Sequence, residues 1–168
     1  MIDSVLTRRL ILNNIEQSDA ATLNQMRNDP GSRKYVPRKK CETLFETGEL
    51  IARMLADNLR KAGINLAIRL RERRSLVGYV GIWRLDNTNA IGEIGFSVGV
   101  KYWRQGYMTE ALTSFLDRID VVFPITIQAF VHPDNEPSLR LLKRNDFTYL
   151  SPAETEPGFV VYHRDPEN

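Results

Sequence analysis

The succession of hydrophobic periods along this chain predicts an α+β fold of about six or seven strands and about four helices, held in one domain over residues 1–168. Two observations carry that prediction. "INLAIRL" (64–70) and "LVGYVGIWRL" (76–85) run with period two on either side of the charged "RERRS" (71–75), which makes them the arms of a hairpin. From residue 108 the apolar positions Met108, Ala111, Leu112, Phe115, Leu116 and Ile119 fall instead on one helical face. No repeat, low-complexity tract or linker interrupts the sequence, so nothing divides it.

Each element has a local reason. "RRLILNNI" (8–15) predicts a first strand, and Ser18 with Asp19 starts a helix that carries Leu23 and Met26 toward "NDPG" (28–31), a strong stop. "SRKYVPRKK" (32–40) has no period and predicts a loop. The spacing of Leu44, Phe45, Ile51, Met54, Leu55 and Leu59 predicts a helix over about 41–62, with Gly63 where a C-cap belongs. After the hairpin and the turn signal "DNTN" (86–89) comes the strand "AIGEIGFSV" (90–98). A helix over about 106–119, a strand "PITIQAFV" (124–131), a short helix over about 136–144, and strands around "FTYL" (147–150) and "GFVVYH" (158–163) complete the order.

Composition narrows the function classes. A hydrophobic share of 42% with 26% charged residues is that of an ordinary globular protein, and a net charge of +2 is too small to argue for nucleic acid. One cysteine, Cys41, cannot form an intramolecular disulfide, and His132 and His163 have no ligand-spaced neighbours, so no metal site is expected. Charged Asp3, Arg8 and Arg9 interrupt any signal-peptide core, and no window reaches the length of a membrane span. A cytoplasmic location without membrane attachment is the expectation.

"KYWRQGYMTEAL" (101–112) places the start of the third helix close to Gly106. A helix start offers backbone N–H groups without internal partners and a partial positive charge, which together bind anions. Arg104 and Lys101 add charge beside it. The preceding strand puts Glu93, Gly95, Ser97 and Gly99 on one face, largely bare, along which a thin ligand ending in phosphates could lie. One glycine matches neither a Walker loop nor a dinucleotide fingerprint, and a glycine at such a turn is most often only a turn.

"IGEIGFSVGVKYWRQGYMTEAL" (91–112) followed by "VHPDNEPSLRLLKRNDF" (131–147) resembles the acetyl-CoA-binding half of the GNAT superfamily of N-acetyltransferases, in particular the RimJ/RimL-type branch that acetylates protein N-termini. "TRRLILNNIEQSDAATLNQMRNDP" (7–30) is similar to that branch's opening strand and helix. The resemblance implies the single-domain acyl-CoA N-acyltransferase fold, with a mixed, mostly antiparallel sheet. It implies acetyl-CoA as co-substrate, its pyrophosphate held by the turn Arg104, Gln105, Gly106, Tyr107, Met108 and Thr109. Trp103 stands at the loop's Gln/Arg position, and Met108 at one that is usually small. The strand residues Phe96, Ser97 and Val98 would pair with the pantetheine arm, and one strand N–H would face the thioester carbonyl. Asn135 falls where the family's Asn bonds the cofactor arm, and Ser138 where this branch has a hydroxyl near the sulfur. Leu142 occupies the position of the tyrosine acid of many members, which removes that version of the mechanism. Asp146 replaces a glycine and must take a left-handed cap.

The chemistry asks for a base, because an alkyl amine with a pKa of about 8 to 10 is mostly protonated at neutral pH. Glu93 is the best-placed candidate, acting directly or through water; equally, it is a strand carboxylate paired with an arginine of the neighbouring hairpin. His132 is a weaker candidate. Ser138 is either the acid for the leaving thiolate or a helix-start hydroxyl, and Asn135 either a cofactor ligand or an N-cap. The basic loop (32–40) and the hairpin "RLRERR" (69–74) are expected on the acceptor side. If they are more than solvated faces, they favour an acidic peptide or an RNA-bound protein over a polyamine. Three function classes stay open. The first is an N-acetyltransferase acting on a small amine or a peptide or ribosomal-protein N-terminus, as monomer or homodimer. The second is a CoA-binding module without catalysis, and the third is an RNA-binding protein, against which the low net charge stands.

Overall fold

The computed structural model describes residues 2, 4–36, 41–86 and 90–166; residues 37–40 of the basic loop and 87–89 of the "DNTN" turn lie outside the described residues. One eight-stranded sheet runs through the molecule in the order β1-β2-β3-β4-β5-β6-β8-β7. Its strands are β1 (Ser4–Leu6), β2 (Leu10–Asn14), β3 (Ile64–Leu70), β4 (Leu76–Asp86), β5 (Ile91–Val98), β6 (Thr126–Val131), β7 (Thr148–Pro152) and β8 (Val160–Arg164). Every junction is antiparallel except β5 with β6. Five α-helices, α1 (Ala20–Asn28), α2 (Pro30–Arg33), α3 (Leu44–Arg60), α4 (Tyr107–Val122) and α5 (Glu136–Lys143), accompany it.

Two strands arise from the first predicted one. The chain turns back at residues 7–9, where the Thr7 amide donates to the Leu10 carbonyl at 3.0 Å, so β1 pairs with β2 and the sheet gains its eighth strand. The predicted stop at "NDPG" also starts something: the Asp29 carboxylate accepts from the Gly31 amide at 2.8 Å and caps α2, one turn of helix inside the predicted loop. Thr43 and Glu46 form a capping box at the head of α3. Its left-handed C-terminal residue is Lys61 (φ 57°), not Gly63. Gly63 serves instead for close approach to β4, since a Cβ there would lie 2.9 Å from the Ile82 carbonyl oxygen.

The strand periods send side chains to two cores. Leu10, Leu12, Leu66, Ile68, Val80, Ile82 and Ile94 meet the Leu112, Phe115, Leu116 stripe of α4, with Leu142 of α5 and Phe147 behind it. On the other face Ala67 and Tyr79 pack with Leu23 and Met26 of α1 and Ile51 and Met54 of α3. Arg69, from the basic hairpin segment, is buried among these elements; its guanidinium donates to both Asp19 carboxylate oxygens at 2.7 Å and to Asn13 Oδ1 at 3.0 Å. The Asp19 charge that reads as a helix start is therefore one half of an internal ion pair, and that pairing raises the Arg69 pKa above its ordinary value against the opposing effect of burial.

Candidate active site

β5 and β6 pair only over Ile91–Glu93 and Thr126–Gln128, yet β5 continues to Val98 and β6 to Val131. Beyond Glu93 the two strands part. The cleft that opens there has a volume of about 600 Å³, within the range of small-molecule sites. In the β4–β5 ladder the Gly99 amide bonds the Val77 carbonyl. Alternation along an antiparallel ladder then aims the backbone groups of Ile94, Phe96 and Val98 away from β4, toward the opening. Two of these are engaged: the Ile94 amide closes the last β5–β6 rung opposite Gln128, and the Val98 carbonyl accepts from Trp103 Nε1 at 2.8 Å. An unpaired strand edge of this kind pairs with an extended ligand.

The expected bare face of β5 is not bare. Trp83, opposite Glu93 on β4, lays its indole over Gly95, where a Cβ would come within 2.0 Å of the ring, and a Cβ at Gly99 would lie 3.2 Å from Met26 Cγ. The glycines make room for the protein's own side chains, and the space for a ligand is at the strand edge instead.

Past the end of β5, α4 begins after a 3-10 turn (Val100–Tyr102). Gly106 is its N-cap in the left-handed conformation (φ 76°), without a side-chain cap, and Arg104 is left-handed as well (φ 59°). Met108 packs its side chain against the main core. The loop is braced from β2. Arg9 donates to the Gln105 carbonyl at 2.9 Å, lies 4.5 Å from the Tyr107 ring centre, and pairs with Glu110 at 2.6 Å. Glu110 also accepts from the Thr7 hydroxyl at 2.5 Å and the Arg9 amide at 2.7 Å. Burial works to raise the Glu110 pKa, but the hydrogen bonds from Thr7 and Arg9 and the Arg9 charge outweigh it and hold the carboxyl below its ordinary value. The Arg71 amide donates to the Arg9 carbonyl at 2.8 Å, so the basic hairpin lies at this end of the molecule, and none of residues 69–74 lines the cleft.

Glu93 lines the cleft with its side chain 18% exposed, and Arg84 of β4 donates to it at 2.8 Å. The pairing with an arginine of the neighbouring hairpin is the one the sequence offered, and it leaves the carboxylate on the cleft. Arg84 reaches it from a bulge, at φ 52°. His132 sits further along, its Nδ1 accepting from the Asp134 amide at 3.2 Å and its ring 5.6 Å from both Tyr35 and Phe159. Asn135 is the N-cap of α5, its Oδ1 accepting from the Ser138 amide at 3.4 Å. Ser138 is therefore not the capping hydroxyl. Its side chain lines the cleft and bonds no described residue. Leu142 is buried in the core, and Asp146 takes the left-handed cap (φ 63°) with the Phe147 amide bonded to the Leu142 carbonyl.

Sequence reasoning missed Trp83, Tyr79, Arg84 and Arg27, all at or beside the cleft. Arg27 carries a signal in retrospect: it falls four residues after Leu23, on the inward face of α1. Among the described residues no group of three His, Cys, Asp or Glu could hold a metal ion, and no helix is long and apolar enough to cross a membrane.

The acetyltransferase (GNAT) domain family matches residues 9–148. The uncharacterized N-acetyltransferase p20 of Bacillus licheniformis is 27% identical over 147 residues, covering 87% of this chain and 83% of its own. The uncharacterized N-acetyltransferase YoaA of Bacillus subtilis strain 168 is 28% identical over 142 residues, covering 84% and 80%. Among solved structures, RimL, the ribosomal L7/L12 alpha-N-protein acetyltransferase in complex with coenzyme A, superposes with a TM-score of 0.86 at 16% identity over 97% of this chain and 98% of its own. The ribosomal-protein-S5-alanine acetyltransferase of Vibrio fischeri gives 0.85 at 17% over 98% and 97%. MccE, the microcin C7 self-immunity acetyltransferase, solved with acetyl-CoA and AMP, gives 0.79 at 18% over 95% and 93%. With a family match across most of its length and the fold of these enzymes around a parted pair of strands, the chain belongs to the GNAT family of N-acetyltransferases.

Proposed function

We propose that the chain transfers the acetyl group of acetyl-CoA to a primary amine by direct attack within a ternary complex. The single observation behind this is the parting of β5 from β6, which leaves a free strand edge running between the amides that open α4 and the Glu93 carboxylate. The pyrophosphate is held by the amides of residues 104–108, where the helix start supplies N–H groups and partial positive charge. The pantetheine arm lies along Phe96, Ser97 and Val98, with Asn135 reaching it from α5, and a β5 amide faces the thioester carbonyl as charge develops. Glu93 removes the ammonium proton, directly or through water, with Arg84 fixing the orientation of its carboxylate. The free amine then attacks the carbonyl carbon, the C–S bond breaks, and the proton that the attacking nitrogen sheds is relayed through the Ser138 hydroxyl or water to the departing thiolate.

Relatives in structure that act on ribosomal proteins support a protein N-terminus as acceptor, with a small amine as the other class. The two departures that favour a non-catalytic CoA-binding module carry little weight. Met108 turns its bulk into the core, and Asp146 adopts the conformation that glycine would. An RNA-binding role loses one of its arginines to the buried pair with Asp19. The test is thermal unfolding with acetyl-CoA, then an amine panel scored by release of free thiol. Ligand that binds only the folded state raises the melting temperature by mass action. No shift at millimolar acetyl-CoA refutes the reading.

A further inference from the structure

Two buried arginines and one partly exposed arginine of this protein come with carboxylates: Arg69 pairs with Asp19 at 2.7 Å, Arg164 with Asp120 at 2.6 Å, and Arg9 with Glu110 at 2.6 Å. Arg27 and Arg33 each keep a buried Nε without a partner, and of these two Arg27 is on the cleft. It lines the cleft from α1, its Nη1 donates to the Tyr79 hydroxyl at 3.1 Å, and its buried Nε has no hydrogen-bond partner. No carboxylate among the described residues pairs with it. Two acids stand close in chain or space and both are placed otherwise: Asp29 caps α2, and Glu93 is held by Arg84. Asp57 and Glu156 also line the cleft, as does Arg53 of α3, and neither acid is in an ion pair with Arg27.

A guanidinium with a buried, unpartnered N–H is costly unless a ligand completes it, and the group it matches best is a carboxylate, which it can take in a bidentate fork. Tyr79, itself buried, fixes one end of that fork. Glu93 and Arg27 then give one cleft a negative group from β5 and a positive group from α1, complementary to a molecule carrying both an ammonium and a carboxylate. We propose that the acceptor is an amine that bears a carboxylate, and that Arg27 is the residue that recognises it. The inference rests on the acetyltransferase reading above and names the substrate class of that same site. Two sources carry this chemistry: a small amino acid, and a peptide N-terminus with an acidic second residue.

The experiment compares each carboxylate with its uncharged isostere. Free amino acids are set against their amides, and Ser-Asp-initiated peptides against Ser-Asn-initiated ones, with kcat/KM read by thiol release from the full chain. Losing a charged hydrogen bond in a desolvated site corresponds to about ten- to a hundredfold in kcat/KM. The expected result is a preference of that size for one carboxylate series, which identifies the source. Arg27→Met should erase it, lowering kcat/KM for the carboxylate acceptor far more than for the amide acceptor. Tyr79→Phe, which keeps the guanidinium but frees its orientation, should reduce the preference without erasing it. The acetyl-CoA-induced rise in melting temperature is measured on every variant, so a folding or donor-site defect is seen as a lost shift. Equal rates for carboxylate and amide in the wild type, a preference that survives Arg27→Met, or turnover confined to amines without a carboxylate each overturn the proposal. No turnover of any amine together with no acetyl-CoA shift overturns instead the reading on which it rests.

Discussion

Replacing Glu110 by Gln tests how the loop before α4 is held. The carboxylate accepts three hydrogen bonds, from the Thr7 hydroxyl, the Arg9 amide and Arg9 Nε, and its side chain is only 18% exposed. Bonds to a charged group contribute about 1.5–3 kcal/mol each when buried, but Arg9 is 37% exposed and water screens its share. A net loss of about 2–3 kcal/mol follows, or about 4–12 °C in melting temperature for a domain of this size. The pH dependence carries a sign. A carboxyl whose folded pKa lies below its unfolded value gives stability that is fully present above the unfolded pKa and lost as pH falls through the folded one. Wild type should therefore shed this contribution on acidification below the ordinary value of 4.5, and Glu110→Gln, having nothing to titrate there, should show a shallower acid limb. Freed from Glu110, Arg9 also holds the Gln105 carbonyl less firmly, and acetyl-CoA affinity should drop severalfold. Thermal unfolding of both proteins between pH 7 and pH 3, with and without acetyl-CoA, reads all three effects. Equal melting temperatures at pH 7 with parallel acid limbs would show that the brace contributes nothing.

Glu93→Gln should lower turnover and recover part of it as pH rises, because high pH supplies free amine without a base; a loss uniform across pH would assign Glu93 to structure or acceptor binding. Ser138→Ala should lower kcat by roughly ten- to a hundredfold with the melting temperature unchanged, since its hydroxyl bonds no described residue. Asn135→Ala, in contrast, should cost about 1 kcal/mol of stability as the lost cap of α5; full turnover in Ser138→Ala would leave water to protonate the thiolate. Gly106→Ala should weaken acetyl-CoA binding and cost about 1–2 kcal/mol, because φ 76° strains any side-chain-bearing residue. Calorimetric titration with CoA checks the first effect and urea unfolding the second, and unchanged affinity would place the phosphates elsewhere.

What the sequence made legible was whatever a local pattern encodes. The period-two arms of β3 and β4, the apolar stripe of α4 and the start of that helix at Gly106 all follow from residues within a few positions of one another, whereas the left-handed cap at Asp146 is expected only through the family resemblance. The turn at Thr7–Arg9 escaped because it contains neither Gly nor Pro and is closed by a Thr side chain bonded to the Leu10 amide. α2 escaped because its one turn is too short to show a period. Other misses are long-range. Arg69 reads as a surface charge until Asp19, fifty residues away, is brought against it. The glycines of β5 read as room for a ligand until Trp83 arrives from β4. Arg27 looks like a solvated helix residue until the fold shows that nothing of its own balances it.

Among the described residues, three ladder pairs join β1–β5 to the leaf made of β6, β8 and β7. A substrate arm lying in the gap would supply the missing rungs and stitch the two leaves into a continuous sheet. Donor binding would then stiffen the molecule as a mechanical unit, and the amide of Phe96, which faces the gap beyond the last β5–β6 rung, would be the one to slow most in hydrogen exchange. A product that has lost its acetyl group keeps the same arm and the same rungs, so release of CoA would require the seam to be unpicked bond by bond. In a protein built this way the step that limits turnover can be the unfastening of a sheet, with chemistry already complete.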